Sequence, residues 1–173
     1  MMPPVDPSRR ALLKGRVHHK PVVRPPWSAP EEVLTQRCTR CGECAKACET
    51  QIIIAGDGGF PEVDFFLGEC TFCQACAQVC PEPIFADSTN TPPWNTVATI
   101  DESCLGFQGV YCKNCGEACE IGAIRFTFNS LRIPEPEVDT DACNGCGACV
   151  QLCPVRAVEV KYTYASQGER LNA

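Results

Sequence analysis

The sequence predicts an α+β protein of two tandem units, built from short helices and β-hairpins and preceded by a flexible basic N-terminal arm. Three observations predict it. Four cysteine-rich segments repeat one plan along the chain, using sixteen cysteines in 173 residues. The segments pair, because the first of each half ends Cys-Glu (Cys48–Glu49, Cys119–Glu120) and the second ends Cys-Pro (Cys80–Pro81, Cys153–Pro154). Between the pairs lies D-S-T-N-T-P-P-W-N, a polar, proline-rich stretch of the kind that joins compact units. The chain then divides into an arm (1–33), a first unit (34–90), a linker (91–94), a second unit (95–163) and a C-terminal tail (164–173).

Each repeat opens on an extended approach and closes on a short apolar run. Two approaches, Pro61–Asp64 and Pro136–Asp139, both read P-E-V-D, and the closing runs are Ile52–Ile54, Ile84–Phe85, Ala123–Phe126 and Ala157–Val160. Gln51–Ile54 and Glu159–Tyr164 are rich in β-branched or aromatic residues and predict short strands. The turn residues Gly56–Gly59 predict a hairpin joining Ile52–Ile54 to Glu62–Phe66. One short helix each is expected over Cys44–Cys48, Cys76–Cys80, Cys115–Cys119 and Cys149–Cys153. Pro81 and Pro154 stop two of them, since the residue before a proline avoids the helical region.

Apolar residues make up 45% of the chain, but that figure counts the cysteines. Without them the apolar supply is modest, and chains that bury too little surface lean on disulfides, metals or partners. Cysteine at this density fits either a secreted disulfide scaffold or a metal protein. The scaffold needs an oxidising compartment, reached through a leader with about 7–15 apolar residues. The segment G-R-V-H-H-K-P-V-V-R-P-P-W after Lys14 holds no such stretch. Nor does any run approach the roughly 18 apolar residues of a transmembrane segment. The expectation is a cytoplasmic chain whose thiols are free to bind metal.

Three segments follow C-x2-C-x2-C-x3-C: Cys38, Cys41, Cys44 and Cys48; Cys70, Cys73, Cys76 and Cys80; Cys143, Cys146, Cys149 and Cys153. Thiolates two residues apart let a tight loop wrap three corners of an iron–sulfur cubane, with backbone N–H groups aimed at its sulfides. The remaining segment has Cys104, Cys112, Cys115 and Cys119, with L-G-F-Q-G-V-Y inserted before Cys112. Zinc sites use C-x2-C as two separated pairs around one ion and do not need this rhythm. The pattern predicts [4Fe–4S] clusters, four in all, the site using Cys104 and Cys112 being the one that departs from it.

On these motifs, residues 34–163 resemble tandem bacterial-type two-[4Fe–4S] ferredoxin modules. The resemblance implies crosswise ligation. One cluster would use Cys38, Cys41, Cys44 and Cys80, and its neighbour Cys70, Cys73, Cys76 and Cys48. In the second unit one would use Cys143, Cys146, Cys149 and Cys119, the other Cys104, Cys112, Cys115 and Cys153. The insert is similar to one found in some two-cluster ferredoxins. In addition, S-R-R-A-L-L-K-G (Ser8–Gly15), R-P-P-W-S (Arg24–Ser28) and the order of the four motifs resemble the NapF family, ferredoxin-type accessory proteins of periplasmic nitrate reductase systems. That resemblance spans nearly the whole chain. It implies a cytoplasmic protein that interacts with the catalytic subunit of periplasmic nitrate reductase and helps to mature it before export, with other redox subunits of the same system as further partners. A soluble electron-transfer ferredoxin or redox subunit supplying a reductase is the second expectation, and a zinc-stabilised interaction module the third.

Charge divides unevenly. Residues 1–27 hold six Lys or Arg against Asp6 alone, a net +5, and the remainder carries nine basic and twenty acidic residues, a net −11. A basic arm on an acidic body fits an interaction tail, while the body's negative field opposes nucleic acid. Ser8–Lys14 resembles the S-R-R-x-F-L-K motif of twin-arginine export signals. The polar Gly15–Lys20 stands where the apolar part of such a signal would begin, so retention in the cytoplasm is expected. His18 and His19 read as a solvated pair, and Trp27 and Trp94 as packing residues of the linkers. Phe65, Phe66, Phe72, Phe85 and Phe107 are expected to shield clusters from water. No nucleotide-binding glycine loop or nucleophile motif occurs, and with every cysteine committed to a cluster the chain is not expected to be an enzyme.

Overall fold

The structure, a computed structural model, describes residues 22–88 and 90–163. The Ser8–Gly15 motif, the His18–His19 pair and the tail from residue 164 lie outside the described residues.

Six short strands form three antiparallel pairs: β1 (Ile53–Ala55) with β2 (Pro61–Val63), β3 (Thr96–Ile100) with β6 (Val158–Tyr162), and β4 (Ile124–Phe128) with β5 (Pro134–Val138). The hairpin expected around Gly56–Gly59 forms with Ile53 opposite Val63. Its turn takes Gly58 and Gly59 to φ of 69° and 81°, a backbone that glycine adopts without steric cost. In the second unit, β4–β5 is a local hairpin, whereas β3 pairs with the last strand, setting Thr96 opposite Tyr162 and Ile100 opposite Val158. The unit is thereby closed by its own two ends. In the first unit the matching closure is a single bridge, Ser28 to Phe85. It is flanked by Ala29 N–H donating to the Ile84 carbonyl and Ala86 N–H donating to that of Trp27, both at 2.8 Å.

That bridge draws part of the arm into the body. Residues 23–27 are buried, and helix α1 (Glu31–Arg37) follows them. Acidic Glu31 and Glu32 open the helix and Arg37 closes it, in the sense the helix dipole favours. Leu34, fully buried, pins its inner face. The sequence assigns the part of this stretch up to residue 33 to a flexible basic arm and the rest of the helix to the first unit.

The remaining helices are single turns: α2 (Glu43–Lys46), α3 (Ala75–Gln78), α4 (Asn114–Glu117) and α5 (Ala148–Gln151). Each starts one residue before the third cysteine of its motif and stops two residues before the fourth. They therefore sit about one residue earlier than the sequence predicts. Helix α2 packs on α3, and α4 on α5. The core combines Ile52, Val63, Phe65, Val150 and Val158 with the buried cysteines Cys76, Cys115 and Cys149, so thiols take the place of apolar volume. Among the phenylalanines expected to shield clusters, Phe65 is buried, whereas Phe66 and Phe107 are each 44% exposed.

Candidate metal centres

Three of the cysteine loops share one unusual backbone. The second and fourth residues after the first cysteine are left-handed: Arg40 and Gly42 in the first motif, Phe72 and Gln74 in the second, Gly145 and Gly147 in the fourth. Alternating hands turn successive N–H groups toward one side, making a concave nest for anions. The left-handed state costs a non-glycine residue about 1–2 kcal/mol, yet Arg40, Phe72 and Gln74 adopt it with φ of 55–65°. Such strain persists where the surroundings demand it, commonly at binding sites.

Backbone amides already reach sulfur. Arg40 N–H donates to Cys38 Sγ and Phe72 N–H to Cys70 Sγ, each at 3.4 Å. Ala98 N–H donates to Cys143 Sγ at 3.4 Å and Ala157 N–H to Cys153 Sγ at 3.2 Å. Three residues beyond the fourth cysteine the chain turns left-handed again, at Gln51, Gly122 and Arg156. In the second motif that place belongs to Pro83, whose ring keeps φ negative. None of this backbone pattern was read from the sequence. The recurring glycines of the fourth motif were its visible sign.

The third motif differs. Lys113, after Cys112, keeps a negative φ of −133°. The insert before Cys112 is an ordered bulge in which Gln108 N–H donates to the Cys104 carbonyl and Val110 N–H to that of Leu105. Gly106 lies so close to the Pro134 carbonyl that a side chain there would collide with β5. Val110 and Tyr111 project outward, 49% and 63% exposed.

Tertiary packing gathers the cysteines into sets that cross between motifs. One cavity is lined by Cys38, Cys41, Cys44 and Cys80, a second by Cys48, Cys70, Cys73 and Cys76, and a third by Cys119, Cys143, Cys146 and Cys149. Cys115 lies within electrostatic reach of Cys104 and Cys112. The Asn114 side-chain amide donates to the Leu152 carbonyl at 3.3 Å, tying that loop to the residue before Cys153. Among the described residues, no three His, Cys, Asp or Glu side chains are arranged to hold a single ion.

Burial dominates the electrostatics. It pushes Cys76 and Cys149 up to about 12 and Cys70 and Cys115 up to about 11, neighbouring thiols adding to the effect. Cys44, Cys80 and Cys146 are raised by the same cause. Free thiols here stay protonated at neutral pH, and a Lewis-acidic cation bonded to sulfur is what turns a buried cysteine into a ligand. Four-thiol cavities, inward-turned amides and buried sulfur fit an iron–sulfur cubane, which carries its own positive iron and accepts hydrogen bonds on sulfide.

A fold of two small α+β units carrying three four-thiol cavities and a further group of Cys104, Cys112 and Cys115 defines an iron–sulfur protein of the tandem two-cluster ferredoxin type. The sequence matches the 4Fe-4S dicluster domain family twice, over residues 37–84 and 110–157. It is 43% identical over 162 residues to the ferredoxin-type protein NapF of Escherichia coli K12, covering 93% of this chain and 98% of that one. To the NapF of Haemophilus influenzae it is 48% identical over 136 residues, 79% of this chain and 77% of that one. With the ferredoxin-type protein NapG of Escherichia coli K12 it shares 28% identity over 159 residues, 80% and 69% of the two chains. The chain belongs to the NapF family of ferredoxin-type proteins, and its cofactors are [4Fe–4S] clusters. Among the described residues, no helix is long and apolar enough to cross a membrane.

Proposed function

We propose that this chain is a cytoplasmic accessory protein that binds the catalytic subunit of periplasmic nitrate reductase and helps to mature it before export. The observation that carries the reading is the match to NapF along 98% of that protein's length. It is joined to a body in which all sixteen cysteines fall into the four repeated motifs.

The ligand sets belong to the proposal. Cys38, Cys41, Cys44 and Cys80 hold one cluster, and Cys48, Cys70, Cys73 and Cys76 the next. In the second unit Cys119, Cys143, Cys146 and Cys149 hold a third, and Cys104, Cys112, Cys115 and Cys153 a fourth. When bound, such clusters supply one-electron redox chemistry. The chain's own part is to fix the thiolates, offer amides to the clusters' negative charge and keep water away through residues such as Phe65 and Ile52. Four protein thiolates per site leave no position for a substrate, so the chain acts on a partner and is not itself an enzyme. Other redox subunits of the system are further candidate partners. The acidic body disfavours nucleic acid.

Close contact between the two units at their cysteine loops favours a second reading, a ferredoxin that passes electrons to a reductase. Affinity capture of the full-length chain from cytoplasmic extract separates the two. The first reading expects the catalytic subunit in the eluate and low nitrate reductase activity in a deletion strain; failing both, it is wrong. The second expects reversible low-potential signals and rapid electron exchange with a reductase. A reporter enzyme fused after residue 40 that turns up outside the inner membrane would contradict the cytoplasmic assignment.

A further inference from the structure

We infer that Trp94 clamps the inner thiol site of the first unit against the inner thiol site of the second, so that the four cluster sites form a single row and not two separate pairs. The inner sites are the set containing Cys70 and the set containing Cys146, and the inference rests on the ligand sets proposed above.

The two loops touch directly. Cys70 N–H donates to the Cys146 carbonyl at 2.8 Å, a backbone bond between ligands of different units. Trp94 grips both sides of this contact. Its indole N–H donates to the Asn144 carbonyl at 2.9 Å, inside the fourth motif's loop. Its ring meets Phe72, inside the second motif's loop, edge to face at 5.8 Å, and meets Phe65 in the same manner at 5.8 Å. Phe65 in turn presses on Gly147, leaving no room for a Cβ there. A half-buried indole that satisfies its donor while packing two aromatic edges is well suited to fixing one geometry. No layer of structure separates the two loops.

Within each unit the single-turn helices make the other joints. Packing of α2 on α3 sets Cys44 within electrostatic reach of Cys76, and packing of α4 on α5 does the same for Cys115 and Cys149. The order of sites along the molecule is then Cys38/41/44/80, Cys48/70/73/76, Cys119/143/146/149 and Cys104/112/115/153, which is not their order in sequence. Trp94 is a positioning residue at the middle joint, where a linker residue was expected.

The test is electron paramagnetic resonance of the fully reduced, full-length protein, with iron and acid-labile sulfide counted in every sample. Coupling inside each unit is common to all variants, so the comparison reads the middle joint. Wild type should show additional dipolar broadening and faster spin relaxation, and Trp94→Ala should lose that component at unchanged iron content. Trp94→Phe, which keeps the aromatic packing, should retain most of it. If Trp94→Ala does not take up iron, Phe72→Leu strips the opposite side of the same contact and should show the same loss. Superposable spectra from wild type and the iron-replete variant overturn the row while leaving the ligand sets standing. Wild-type iron well below four per cysteine set overturns both together.

Discussion

Arg24 and Glu31 meet in a two-pronged ion pair, Nε to Oε2 at 2.8 Å and Nη2 to Oε1 at 2.5 Å. A third bond, Nη1 to the Pro61 carbonyl at 2.8 Å, carries the guanidinium on to β2. Through one side chain, the stretch before helix α1 is fastened to the helix and to the first hairpin.

Loss of Arg24 should therefore loosen the first unit. The residue is only 8% exposed, and Arg24→Ala leaves the buried Pro61 carbonyl and one end of the ion pair without partners, at a cost of about 2–4 kcal/mol. The Glu31 side chain is 46% exposed, so Glu31→Gln should cost only about 1 kcal/mol. Urea melts of the iron-loaded protein, followed by cluster absorbance, check the order. Equal losses for the two variants would contradict it.

Gly42 and Gly147 occupy equivalent loop positions at φ of 78° and 86°, yet their surroundings differ. A Cβ at Gly42 meets nothing within 4 Å, while one at Gly147 runs into the Phe65 ring. Gly42→Ala should cost only the left-handed penalty of about 1–2 kcal/mol, an amount Gln74 already bears in the second motif. Gly147→Ala adds an overpacking cost of about 1–3 kcal/mol and should shed iron at a lower temperature. Thermal melts of the two variants side by side measure the difference.

The proposed crossed ligation makes an additivity test. Cys80 lines one cavity with Cys41, although 39 positions separate them, while Cys76 lines another. Cys41→Ser and Cys80→Ser should each remove or degrade one cluster of four, about a quarter of the iron. The double variant should do no further damage. Cys41→Ser with Cys73→Ser should damage two. Iron and sulfide counts after oxygen-free purification read the result.

Acid should release the clusters. With Cys76 and Cys149 pushed up to about 12 and Cys70 and Cys115 to about 11, chiefly by burial, each iron–thiolate bond displaces a proton. Falling pH therefore favours the metal-free chain, and chromophore should bleach progressively as the solution is acidified. The metal-free fold runs the other way. These thiols hold protons more tightly folded than unfolded, so their contribution to stability is present below the ordinary value of 9.0 and lost as pH rises through 11 to 12. Absorbance and circular dichroism titrations of the loaded and metal-free protein should move in opposite directions.

Much of the local structure was legible because it is set by neighbours in sequence. C-x2-C-x2-C-x3-C spacing specifies a tight loop and one helical turn, and the four single-turn helices lie within about a residue of their expected places. The Gly56–Gly59 turn specifies the β1–β2 hairpin for the same reason. Short-range sterics suffice for both. By contrast, the pairing of β3 with β6 joins residues about sixty positions apart, and the alternation of Thr96–Ile100 does not name its partner. Helix α1 straddles the expected boundary after residue 33, and nothing local reveals that Leu34 finds a buried seat.

By itself the sequence determined that this protein carries [4Fe–4S] clusters and that its cysteine loops repeat four times, as two pairs. Both follow from cysteine spacing and internal repetition. Only the tertiary structure decided that residues 23–27 pack into the body, that β3 pairs with β6, and that Trp94 contacts both the second and the fourth loops. Those outcomes depend on side chains far apart in the chain filling one another's space, and such complementarity leaves no periodic trace in a single sequence.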